Sequence, residues 1–179
     1  MIDLQSLEKR LWKLRPRRKH DEFAIETIKE AIDAIRNGNW GVGAVLVDNK
    51  TGKVIFRGQN KTTRTDWHAE MDLLNKFEDE HGKKGKELLR DCTLYTSLEP
   101  CPMCLCRIIV ARVGAVYYVA DDKPGGMVHL RDQLPQAWKE MSNDKTYEKA
   151  DCSDELVKIA EELFHYSLNE SKRKKESKK

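Results

Sequence analysis

Between residues 41 and 120 the chain alternates short apolar runs with longer periodic ones, and this alternation constrains the fold more than any other feature. Gly43 to Val47 is a short apolar run that reads as a strand. Asn49-Lys50-Thr51-Gly52 is a turn, and Val54-Ile55-Phe56 follows as a second strand, a hairpin signal. A helix is expected from about His68 to Glu80, with residues 81–90 a polar loop or an extension of it. Thr93 to Ser97 reads as a strand. Pro102 then suits the first turn of a helix, where its missing N–H costs nothing, and that helix carries Leu105, Ile108 and Ile109. Ala115 to Ala120 is a further strand. Such an order predicts an α/β fold with parallel crossovers.

The flanks are less regular. Leu4, Leu7, Leu11 and Leu14 give a weak helical pattern that Pro16 stops, and Ala24, Ile28, Ile32 and Ile35 give a stronger one closed by Asn37-Gly38. Gln133 to Met141 is a candidate helix with Trp138 inward. Asp154 to Leu168 is amphipathic through Leu156, Ile159, Ala160 and Leu163. Seven Lys/Arg lie in residues 9–19 and six in residues 172–179, while residues 20–170 carry about −7 by count. The expected division is therefore a basic segment over 1–20, a main domain over 21–170 and a basic, disordered tail over 171–179. An acidic main domain argues against a large nucleic-acid face, although the basic ends offer a route to tRNA. Apolar runs fall short of the ~20 residues of a membrane helix. The early charges Asp3, Glu8, Lys9 and Arg10 break any signal-peptide core, so a cytoplasmic protein with no membrane partner is expected.

Five cysteines, with Cys101, Cys104 and Cys106 packed together, do not resemble a disulfide framework. Two motifs carry the chemistry: His68-Ala69-Glu70 and Pro100-Cys101-Pro102-Met103-Cys104. Each opens a helix that follows a strand, and the positive end of a helix favours thiolates. Cys101 and Cys104 can reach one tetrahedral ion and His68 supplies a third ligand, leaving the fourth position to water, as in catalytic zinc sites. Zinc lowers the pKa of that water to about 7. Glu70 falls on the stripe with Leu73, Leu74 and Phe77. A carboxylate there is desolvated, which raises its pKa into the range useful for proton transfer. A structural zinc module is the non-enzymatic alternative; it would need a fourth ligand, for which Cys106 is the nearest candidate.

These motifs, with Gly43-Ala44-Val45-Leu46-Val47, Gly58-Gln59-Asn60 and Leu94 through Cys104, resemble the cytidine deaminase-like superfamily, in particular its branch of guanine deaminases and tRNA adenosine deaminases. H-x-E paired with P-C-x-x-C is the signature of zinc deaminases. The resemblance runs from about Phe23 to Gly126. It implies a three-layer α/β/α fold with a mixed five-stranded sheet, one zinc per chain, a homodimer, a substrate hydrogen bond from Asn60, and Ala69 and Cys101 backbone amides facing the site. The expected activity is hydrolytic deamination of a small nucleobase or nucleoside, with guanine first. A tRNA adenosine, suggested by Asp121-Asp122-Lys123-Pro124-Gly125 and the basic ends, and a cytosine-type pyrimidine are the alternatives. Two departures stand out: Gly41 where the branch usually has Pro, and Trp67 before the metal histidine. Trp67 is a candidate to stack on a base, with ordinary packing the alternative, whereas Trp40 is assigned to the core. His129 has a weaker claim to line the pocket.

Overall fold

The computed structural model describes residues 3–176. Its centre is a mixed five-stranded sheet in the order β2-β1-β3-β4-β5. The strands are β1 (Gly43–Asp48), β2 (Lys53–Gln59), β3 (Cys92–Leu98), β4 (Ala115–Ala120) and β5 (Thr146–Lys149). β1 runs antiparallel to both β2 and β3, while β3, β4 and β5 are mutually parallel. Parallel crossovers are thus confined to one half of the sheet. The hairpin flips β1, so the helix after β2 must carry the chain across β1 to reach β3.

Among the described residues seven α-helices surround the sheet: α1 (Leu4–Lys13), α2 (Asp21–Arg36), α3 (Ala69–His81), α4 (Gly85–Leu88), α5 (Pro102–Ala111), α6 (Gln136–Ser142) and α7 (Asp154–Glu176). Alternation along the strands feeds two cores, because successive side chains point to opposite faces. Ala44, Leu46, Leu94 and Val116 join Leu73, Leu74 and Phe77 of α3 and Leu105, Ile108 and Ile109 of α5. Val45, Val47 and Tyr95 form a second cluster with Phe23 of α2, Val54 and Tyr117. β3 is buried along its whole length, as its place in the middle of the sheet requires.

Several elements differ from the sequence reading. The basic N-terminal segment is not set apart from the main body. Leu7 and Leu11 of α1 are buried in the main core, and Arg10 pairs with Glu155 (2.7 Å) and Glu162 (2.9 Å) of α7. Asp21 ties the same region together, accepting from the Arg17 and Arg18 amides and from both the amide and the hydroxyl of Ser153. β5 was not foreseen: only Tyr147 of its four residues is buried, too little alternation to mark a strand. Residues 82–91 are neither loop nor simple extension but a run of short helical turns around α4. α7 passes the expected end at Leu168 and continues through Glu176, so residues 171–176 are helical where a disordered tail was expected; residues 177–179 lie outside the described residues.

α7 also explains one departure in the sequence. The Gly41 N–H donates to Ser167 Oγ (2.8 Å), and a Cβ at Gly41 would lie 2.9 Å from the Leu163 carbonyl oxygen. Proline at this position would remove the donor and push against α7. Gly41 thus lets α7 lie close over the segment that enters β1.

Candidate metal centre and catalytic cleft

Two helix starts converge beside the end of β3. His68 is the residue that caps α3 and Cys101 the one that caps α5; both backbones are extended, and neither side chain makes a capping hydrogen bond. Their side chains are free to turn toward each other. The Nδ1 atom of His68 lies 3.5 Å from Cys101 Sγ and 3.6 Å from Cys104 Sγ, and the three ligand atoms all fall within 4.8 Å of one another. Zinc bonds of about 2.3 Å to sulfur and about 2.0 Å to nitrogen at a tetrahedral angle require an S···N separation of about 3.5 Å. His68, Cys101 and Cys104 therefore match the spacing of a zinc site. Among the described residues no fourth His, Cys, Asp or Glu joins this group, and Cys106 is not part of it.

The electrostatics fit the same ligand set. The Cys101 thiol is drawn down to about 4, first by the hydrogen bond from Cys104, against the opposing effect of burial, and then by His68. Cys104 is pushed well up by donating to Cys101 and by burial. Cys92 and Cys152, by contrast, are pushed up to about 11 by burial, as packed thiols are.

Glu70 sits on the first turn of α3 and is only 3% exposed. Thr96 of β3, wholly buried, donates to Glu70 Oε1 at 3.2 Å. Burial is the main reason its carboxyl is raised above the ordinary value. Such a group, beside the His68–Cys101–Cys104 cluster and facing a cavity, is suited to carry a proton.

His68, Glu70 and Cys101 line a cavity of 440 Å³ together with Asn60, Asp122 and Gly125. Its apolar walls are Trp40, Val42, Leu98 and Phe164. Most of the site residues expected from the sequence are therefore brought together. Ala69 is wholly buried and its side chain does not line the cavity; its place is the tight seam between α3 and β2, where its carbonyl meets Gly58. Trp67 is a correction. It does not line the cavity but lies between two cations, Lys61 Nζ 4.7 Å and the Arg64 guanidinium 4.8 Å from its ring. The indole is half-buried against those two cations. Trp40 does line the cavity, beside Phe164 of α7, with ring centroids 6.0 Å apart. Phe164 had no local signal, because its contact with Trp40 spans more than a hundred residues. His129 does not line the cavity either; its ring meets Glu99, which does.

Known proteins place this geometry. Residues 17–120 match the model of the cytidine and deoxycytidylate deaminase zinc-binding region. A guanine deaminase of Bacillus subtilis is 34% identical over 159 residues, 72% of this chain and 99% of that protein. A tRNA-specific adenosine deaminase of the same organism is 42% identical over 108 residues, 58% of this chain and 63% of that protein. A solved guanine deaminase from Nitrosomonas europaea superposes with a TM-score of 0.64 at 16% identity, over 94% of this chain and 97% of that one, which establishes the shared fold.

Proposed function

The chain belongs to the family defined by the cytidine and deoxycytidylate deaminase zinc-binding region, and from that membership we propose that its cleft hydrolytically deaminates a free purine base of the guanine type. The observation that carries this reading is the cavity itself. At 440 Å³ it falls in the range of small-molecule sites, with the apolar walls Trp40, Val42, Leu98 and Phe164 set among polar side chains that can orient a ligand. One of those walls, Phe164, comes from α7, outside the residues 17–120 of the family match, and narrows the approach to the metal site. The match to the guanine deaminase of Bacillus subtilis over nearly all of that protein supports the same choice.

The residues divide the work. His68, Cys101 and Cys104 would hold zinc, which when bound would bring the pKa of a water near neutrality and so supply the nucleophile. Glu70 takes a proton from the attacking water and delivers it to the departing amine, so that water and the amino compound become the oxo compound and ammonia. Thr96 holds one Glu70 oxygen in place. Asn60 offers an amide to the base, and Trp40 and Phe164 enclose its faces and exclude water.

A second reading, deamination of a tRNA adenosine, draws on the 42% identical relative and on Lys61 and Arg64 at the cavity mouth. Ammonia release from zinc-loaded protein, measured across guanine, other bases, nucleosides and tRNA, separates the readings. Activity on guanine with none on tRNA supports the proposal. Activity on tRNA alone, falling steeply with salt, replaces it, and activity on cytosine alone moves the substrate class to pyrimidines. A homodimer is part of the proposal, supported by the exposed Met103 and Val110 on α5. A cytoplasmic location suits five cysteines that are all unpaired.

A further inference from the structure

Glu99 lies two residues before the metal-ligating Cys101 and borders the same cavity, yet its carboxyl group is taken up by other partners. Its side chain is completely buried, and every hydrogen bond it accepts comes from the segment after β4. The Asp122 amide donates to Oε2 (3.1 Å), the His129 amide to Oε1 (2.8 Å), and His129 Nδ1 to the same Oε1 (2.7 Å). The backbone around it repeats the attachment: the Glu99 N–H donates to the Ala120 carbonyl (2.8 Å) and the Met127 N–H to the Pro100 carbonyl (2.9 Å). Gly126 is shaped to this carboxylate, since a Cβ there would lie 2.5 Å from Glu99 Cδ. The segment so held supplies Asp122 and Gly125 to the cavity wall.

We propose that Glu99 and His129 form a brace that fixes residues 121–129 as the substrate-facing wall of the cleft, making both of them positioning residues for the deamination. A buried carboxyl group needs its hydrogen-bond partners, because each missing one leaves a desolvated polar atom unpaired. Here all of those donors belong to one segment, at its beginning and its end, so the carboxylate holds the loop in one conformation. His129 is the part of the brace that can be removed without touching the segment that carries Cys101. The inference rests on the reading of the 440 Å³ cavity as the substrate site.

The test compares His129→Ala with His129→Asn, whose amide restores a donor, and with Gly126→Ala, which crowds the carboxylate. Amide hydrogen exchange over residues 122–129, bound zinc, and KM and kcat for ammonia release are measured on each. The expected result for His129→Ala and Gly126→Ala is faster exchange confined to that segment and full zinc. KM should rise on the order of tenfold, the equivalent of one buried hydrogen bond, with kcat much less affected. His129→Asn should recover most of both changes. Unchanged exchange and KM in His129→Ala would overturn the proposal, as would loss of zinc with the exchange of 122–129 unaltered. If wild-type protein releases ammonia from none of the compounds, the functional reading fails. The brace then stands or falls on the exchange data alone, through acceleration in His129→Ala and its recovery in His129→Asn.

Discussion

Gly58 on β2 is where the fold and the metal site meet, and replacing it with alanine perturbs both in a calculable way. A Cβ at Gly58 would fall on the Ala69 carbonyl oxygen, 2.7 Å from Leu73 Cβ and 2.8 Å from Leu73 N. All three atoms belong to the first turns of α3, the helix that carries His68 and Glu70 at its start. Ordinary carbon contacts lie at about 3.5–4.0 Å, so α3 must retreat from the sheet by about 1 Å. Metal sites tolerate about 0.2 Å in ligand position. The separations of 3.5 and 3.6 Å between His68 Nδ1 and the two sulfurs therefore cannot survive such a shift intact. Overpacking of this kind costs about 1–3 kcal/mol, or a fall of roughly 3–10 °C in Tm for a chain of this size. Zinc affinity, measured by competition with a chromogenic chelator, should drop by about 10- to 100-fold. Gly52→Ala is the control: it strains a turn residue at φ 66° but meets no atom within 4 Å, so it should lower Tm while leaving zinc affinity unchanged. Wild-type zinc affinity in Gly58→Ala would refute the claim that this glycine sets the position of α3.

Two further outcomes follow from the same geometry. Cys104→Ala should lose zinc and Cys106→Ala should retain it, as metal analysis after dialysis will show; full zinc in the first variant would refute the ligand set. Asp21 is almost fully buried; burial raises its pKa, but the Ser153 hydroxyl and the Arg17, Arg18 and Ser153 amides outweigh it and hold the carboxyl below its ordinary value. Because the folded pKa is depressed, the stabilisation is complete above the unfolded pKa of about 3.9 and is lost as pH falls through the lower folded value. Asp21→Asn should thus cost about 1–3 kcal/mol at pH 7. In urea titrations its deficit relative to wild type should shrink below pH 4; a deficit independent of pH would contradict the assignment.

The parts of this molecule that could be read from sequence are those that local chemistry dictates. His68, Glu70, Cys101 and Cys104 were legible because their spacing and their positions at helix starts are short-range, and Glu70 stood out as a charge on an apolar stripe. The hairpin and the β3–α5–β4 crossover were legible for the same reason. What was missed depends on contacts between distant residues. Trp40 reads as core until Phe164 of α7 is laid beside it. Trp67 reads equally well as a stacking platform or a packed ring, and only the structure sets Lys61 and Arg64 against it. Glu99 looks like one more residue of a motif until its three donors are traced to the far side of β4. α1 looks like a basic appendage, but its Leu7 and Leu11 are covered by elements that lie well over a hundred residues away as well as by its neighbours. The antiparallel pairing of β1 with β3, unlike its hairpin with β2, was likewise set by sheet order, which strand patterns do not encode.

The central claim is that a buried glutamate beside a three-ligand zinc site moves the proton for deamination. It is tested most directly by ammonia release from guanine with wild-type protein and Glu70→Gln, each carrying one zinc per chain. The account predicts turnover in the wild type and a loss of about 10²- to 10⁴-fold in Glu70→Gln, with zinc retained. A zinc-loaded Glu70→Gln variant that releases ammonia at the wild-type rate would contradict it.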